Sequence, residues 1–158
     1  MKSKAILSQT EVSQILAAAR TEAQNNQWAV TIVIVDDGGH PLALERLDGC
    51  APVSAYIAIE KARTAALGRR ESKGYEEMVN GGRHAFLSAP LLTSLEGGVP
   101  IIKDGQCIGR ISTLEVSLRH QRLDHQRHLS LFRMSRPDYR LFDEIGGIFG
   151  NRQPARRG

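Results

Sequence analysis

Residues 30–47 read VTIVIVDDGGHPLALERL, and two hydrophobic patterns meet inside them. From Val30 to Val35 every residue is apolar or β-branched at both parities, which suits a strand covered on both faces rather than one facing water. From His40 to Leu47 apolar and polar positions alternate with period two, and Asp36-Asp37-Gly38-Gly39 between the runs has the composition of a tight turn. Strand, turn and strand make a β-hairpin whose first strand needs a layer on each side.

The flanking residues supply such layers. On the N-terminal side, Ser8 and Glu11 form a capping-box pair, and Val12, Ile15, Leu16, Ala19 and Ala23 fall on one helical stripe that ends near Asn25-Asn26. On the C-terminal side Pro52 opens a helix that runs to about Gly68, where glycine suits the left-handed C′ position. Val53, Tyr56, Ile57, Glu60, Lys61, Thr64 and Leu67 share one face of it, and Ala55, Ala58, Ile59, Ala62 and Ala66 the other. The alanine face permits close packing on a sheet. A shorter helix is expected over residues 74–79 and another helical turn or two over 83–89, before Pro90. VPIIKDGQCIGRI, residues 99–111, reads as a second hairpin with Asp104-Gly105 in a type I′ turn. Helix, hairpin, helices, hairpin is an α+β order: an antiparallel sheet flanked by helices.

A chain of 158 residues with 41% apolar and 24% charged residues fits one globular domain. No apolar run reaches the roughly 18 residues that span a bilayer, and MKSKAILSQTEVSQ turns polar before an apolar core of signal length forms, so the expected compartment is cytoplasmic. Cys50 and Cys107 stand apart and read as free thiols. The net charge of +4 is uneven: residues 110–158 hold ten Arg, no Lys and five acids, a balance of +5 that leaves −1 for the rest. The Arg and His residues of that tail lack regularly interleaved aromatics, so a nucleic-acid partner is not expected. GxGxxG, GxxxxGK[ST] and HExxH are all missing, which leaves dinucleotide, P-loop and zincin chemistry without a motif.

Alternation puts His40, Leu42, Leu44 and Arg46 on one face of the second strand, with His40 and Arg46 about 20 Å apart. They either contact opposite ends of one large planar ligand over a Leu42–Leu44 floor, or solvate the two ends of the strand. Asp36 and Asp37 are turn residues first. Lys61 shares a face with Tyr56 and Ile57; partly desolvated, it serves as nucleophile or anion anchor, or else snorkels at the edge of that face. Glu96-Gly97-Gly98 is a backbone-exposing loop whose amides could meet a carboxylate. His84 reads as a surface histidine and Cys107 as a small core residue. No nucleophile triad or metal-binding constellation emerges from spacing. The residues mark a possible cleft bordered by His40, Arg46, Tyr56 and Lys61.

VDDGGHPLALERLDGCAP, then EKARTAALGRRESKGYEEMVNGGR, then SAPLLTSLEGGVPIIKDGQCIG, in this order and spacing, resemble the GlcG/HbpS family over roughly residues 1–109. The resemblance implies a profilin-like α/β sandwich, assembly into homo-oligomers, and a haem-binding or, less so, corrinoid-binding accessory role associated with glycolate metabolism. Its alternative is an enzyme acting on a small oxo or hydroxy acid, or a haem-degrading activity. Asp36, Gly38, Gly39, Arg46 and Asp48, Lys61 and Ala62, and Gly97, Gly98 and Pro100 fall in the matching blocks. The cofactor-binding set is then His40, Arg46, Asp48, Tyr56, Lys61, Gly97 and Gly98. After Gly109 the sequence departs from the family. Arg110 stands where a small residue is expected, and residues 110–158 read as an atypical basic segment.

Overall fold

The structure, a computed structural model, describes residues 4–103 and 106–115. Helix α1 spans Gln9–Asn25, followed by strands β1, Val30–Val35, and β2, Pro41–Arg46. Helices α2, Val53–Gly68, and α3, Lys73–Asn80, lead through a 3₁₀ turn at His84–Ser88 to β3, Gly98–Lys103, and β4, Gln106–Glu115. The strands form one antiparallel sheet in the order β2-β1-β4-β3. The expected α+β architecture is present. The turn at Asp104-Gly105, and the tail beyond Glu115, lie outside the described residues.

β1 is buried along its whole length, as its two-sided apolar pattern requires. Val12, Ile15, Ala19 and Ala23 of α1 pack with Ile32, Ile34, Ile101, Ile108 and Ile111 on one face. Ala58, Ala62 and Ala66 of α2 pack with Val33, Val35 and Leu114 on the other. Truncating Ile32 or Ile34, both fully buried, to alanine removes about 2–5 kcal/mol. Ser8 caps α1 through the expected box with Glu11, and Arg20 of α1 holds Glu45 of β2 at 2.7 Å.

Two local expectations are corrected. The first concerns alternation in β2. Its register pairs Ile34 with Ala43 but Val35 with Pro41, so Leu42 is an extra residue in a β-bulge. Leu44 and Arg46, opposite Val33 and Thr31, keep the face toward α2, whereas the parity that joined His40 to them is broken. The second concerns the end of α2. Arg69, at φ 54 and ψ 31, takes the left-handed position expected of Gly68. Gly68 is needed for another reason: a Cβ there would run into the hydroxyl of Tyr75, which packs against it.

β4 crosses Gly109, after which the sequence is expected to depart from the family pattern, although strand pairing continues without a break. Arg110–Glu115 pair with β1, and Arg110 also pairs with Pro100 of β3. Arg110 is buried, and its Nε donates to Ala65 O at 3.0 Å while its Nη1 donates to Gly109 O at 3.0 Å. A guanidinium is thereby set against the carbonyl end of α2, where the helix dipole favours a cation and no basic residue occupies the last turn. Burial lowers the Arg110 pKa, and the charge of Asp37 opposes that shift. A long side chain thus fills the place expected for a small one by serving the helix above it.

The Gly68–Tyr75 contact and the strained Arg69 give opposite predictions for adjacent residues. Gly68→Ala should lose about 1–3 kcal/mol by overpacking, and Arg69→Gly should gain about 0.5–1 kcal/mol by relieving left-handed strain. Urea unfolding of both variants checks the pair.

Candidate functional site

The residues expected to border one cleft fall on two sides of α2. Lys61 and Tyr56 are separated by about 140° around the helix at about 100° per residue. Tyr56 stands outward and is 74% exposed, whereas Lys61 is 2% exposed.

On the side toward β2, the strip between the helix and the edge strand is the candidate groove. Ile59 packs on the Val33–Val35 cluster, and one turn later the Arg63 side chain lies over Gly39 in the β1–β2 turn. Across the groove, Leu44 remains 43% exposed. The close-packing alanines let the helix sit low, so the apolar side chain at the sheet edge is flanked rather than covered. Arg46 closes one end, where its Nη1 donates to Cys50 O at 3.3 Å. Arg63, ion-paired with Glu60, closes the other. Asp48 sits exposed in the turn after β2. Spacing alone missed Arg63, because its position over Gly39 depends on how the helix crosses the hairpin.

His40 lies at the rim. Its backbone N–H donates to Asp36 Oδ1 at 2.8 Å, as does that of Gly38, and its Nδ1 lies 3.0 Å from Asp36 Oδ2. Burial pushes the Asp36 carboxyl upward, but the hydrogen bonds and charge of His40, with the Gly38 N–H, outweigh it and hold the pKa below the ordinary value. Asp36 is the organiser of this turn, and Asp37 pairs with Lys4.

The other side of α2 is sealed. The Lys61 ammonium donates to Thr113 O of β4 at 2.9 Å. Gly97, at φ 122, lies against it, and a Cβ there would collide with Nζ. A Cβ on Gly98 would come within 2.5 Å of Lys61 O and 2.9 Å of the Ala65 Cβ. The expected Lys61, Gly97 and Gly98 therefore do come together, as packing partners. Burial lowers the Lys61 pKa to about 8, against the raising effect of Glu76 and Glu96. Glu76 of α3 also accepts the backbone N–H of Glu96. Ser72, just before α3, accepts from Gly98 N at 2.9 Å and donates its own N–H to Gly98 O at 3.1 Å. The Ser112 hydroxyl on the neighbouring strand is buried without a partner among the described residues. Ser72 and Glu76 lie at the start of α3 and Glu96 in the loop before β3, and no spacing rule links them to Lys61.

The remaining candidates stay apart from both sides. His84 is exposed in the 3₁₀ turn. Cys50, a buried free thiol, bonds to Ser54 Oγ at 3.0 Å, while the free Cys107 is only partly buried. Among the described residues no group of three His, Cys, Asp or Glu side chains could hold a metal ion, and no helix is long and apolar enough to cross a membrane.

The buried ammonium carries a pH signature. Because the folded-state pKa lies below the usual lysine value of about 10.4, the unfolded chain binds more protons between about pH 8 and 10. The native state therefore bears a penalty at pH 7 that fades as pH rises through this window. Lys61→Met should be more favourable, relative to the native chain, at pH 7 than at pH 10, by up to about 3 kcal/mol. Urea unfolding at the two values checks this, and a pH-independent difference would contradict it.

The HbpS-like family model, described as haem degrading protein HbpS-like, matches residues 7–127. The chain is 68% identical over 111 residues to protein GlcG of Escherichia coli K12, covering 70% of this chain and 83% of that protein. The solved PduOC:heme complex is similar at 26% identity with TM-score 0.63, covering 73% of this chain and 86% of that one. The solved structure of HbpS shares the fold, with TM-score 0.65, 23% identity and coverage of 73% and 81%. With the sheet order, the Gly97-Gly98 packing and the hairpin motif already placed, the chain belongs to the HbpS-like family.

Proposed function

We propose that this protein is a tetrapyrrole-binding accessory protein, with haem as the favoured ligand and a corrinoid as the lesser one, and that the ligand lies in the groove between β2 and α2. The observation that carries the reading is Leu44, left 43% exposed on the helix-facing side of β2 between two arginines. A flat ligand with apolar faces and carboxylates at its edge matches that sequence of surfaces. Leu44 and Ile59 would contact the faces, and Arg46 and Arg63 the carboxylates, as planar guanidinium forks suit them. Bound haem would supply the iron and its redox chemistry. Tyr56 offers a phenolic oxygen above the groove, and His40, whose Nδ1 is engaged by Asp36, presents Nε2 at the rim.

Support from relatives is consistent with this reading: one similar solved structure is described as a complex with heme, and the matching family as haem degrading. Association with glycolate metabolism, a cytoplasmic location and homo-oligomeric assembly belong to the same proposal. Lys61, Gly97 and Gly98 act in it indirectly, by fixing the height of α2. The alternative, an enzyme holding a small oxo or hydroxy acid on Lys61, has weaker support because that ammonium faces Thr113 O inside the fold.

Haem titration followed by the Soret band tests the proposal. The native chain should show a saturable shift, and Leu44→Glu should weaken it at least tenfold while keeping the native far-ultraviolet circular dichroism. A native chain without a saturable shift would reject haem binding. Unchanged binding by Leu44→Glu would place the ligand elsewhere.

A further inference from the structure

A second cationic site, built on an aromatic pair, lies where the segment after α2, α3 and the 3₁₀ turn meet. Tyr75 is buried against Gly68. Its ring meets Phe86 edge-on, with centroids 5.9 Å apart and planes at 60°. The guanidinium of Arg70 lies 4.0 Å over the Tyr75 ring, and that of Arg83 lies 4.9 Å over Phe86. Both reach the same sulfur: Arg70 Nη2 is 3.8 Å and Arg83 Nη1 is 3.6 Å from Met78 Sδ. Together these lengths cap the separation of the two nitrogens at about 7.4 Å.

Two cations held so close repel each other, and among the described residues neither has a carboxylate within ion-pair distance. Glu77 turns to Lys73 at 3.9 Å, and Glu76 is engaged by the Glu96 N–H. The repulsion is tolerated because the ring faces and the thioether attract guanidinium groups. The same contacts hold the two forks in place, which lowers the entropy lost when they receive a ligand. With the two nitrogens no more than about 7.4 Å apart, a single polyatomic oxyanion is wide enough to accept hydrogen bonds of about 2.8 Å from both forks.

We infer that Arg70 and Arg83 form a binding site for a phosphate-bearing small molecule. Two converging guanidinium groups match the multiple acceptor oxygens and double charge of a phosphate better than a single carboxylate does. The site is independent of the β2–α2 groove, and its ligand is distinct from the tetrapyrrole proposed there. Tyr75 and Phe86 are positioning residues: they hold the guanidinium planes, and Gly68 leaves the space in which Tyr75 sits.

Calorimetric titration of the intact chain with inorganic pyrophosphate at low ionic strength tests the inference. One saturable site is expected, weakened at least tenfold in Arg70→Gln and in Arg83→Gln, each with unchanged circular dichroism. Arg70→Lys should fall between the native chain and Arg70→Gln, because it keeps the charge but loses the stacked fork. Arg20→Gln, on α1 and paired with Glu45, should bind as the native chain does. Full affinity in both Gln variants would assign the anion to another basic surface and overturn the inference, as would the lack of saturable binding by the native chain.

Discussion

The close approach of α2 to the sheet is the constraint on which the rest of this structure depends. Ala58, Ala62, Ala65 and Ala66 present almost no side-chain height, and Gly98 lets the backbone of β3 reach Lys61 O and Ala65 directly. Larger residues at any of these positions would raise the helix by breaking contacts that a close-packed interior cannot easily replace. The tight layer also explains the polar groups trapped within it. Thr31 and Ser54 share a 2.6 Å hydrogen bond under the first turns of α2, and Arg110 meets Ala65 O near the last.

A low helix has two unlike sides. Toward β3 it seals Lys61 beneath Gly97, with Glu76 and Glu96 balancing part of the cost of burying an ammonium. Toward β2, where the bulge at Leu42 ends regular pairing beside the turn, it leaves Leu44 and Ile59 as a strip between Arg46 and Arg63. One helix therefore separates a buried, costly cation from a partly exposed apolar strip at the sheet edge. The residues that the family motif groups together along the chain divide between these two sides of α2.

Much of this architecture was legible in the sequence because it follows local periodicity. The two-sided apolar run at Val30–Val35 gave a buried strand, the capping box started α1 at the expected place, and the alanines of α2 marked the face that packs on the sheet. The bulge was not legible, since alternation from His40 to Arg46 looks unbroken until the register with β1 is known. Gly68 suggested a helix cap, but its missing side chain makes room for Tyr75, a tertiary demand seven residues away. Arg110 looked foreign to a packed strand for the same reason: its partner, the carbonyl of Ala65, lies in another layer. Lys61 was singled out as a lysine desolvated if its face packs inward, and it is buried against Gly97 and Gly98, a closeness across two elements that spacing does not show.

The central claim is that the open side of α2, not the sealed side, receives a tetrapyrrole. Backbone amide chemical shifts during titration with diamagnetic gallium protoporphyrin test it most directly. The account predicts that the largest saturable changes fall on Leu44, Arg46, Ile59 and Arg63, with Gly97 and Gly98 nearly unmoved. Largest changes at Gly97, Gly98 and Lys61, with the β2–α2 groove silent, would contradict it.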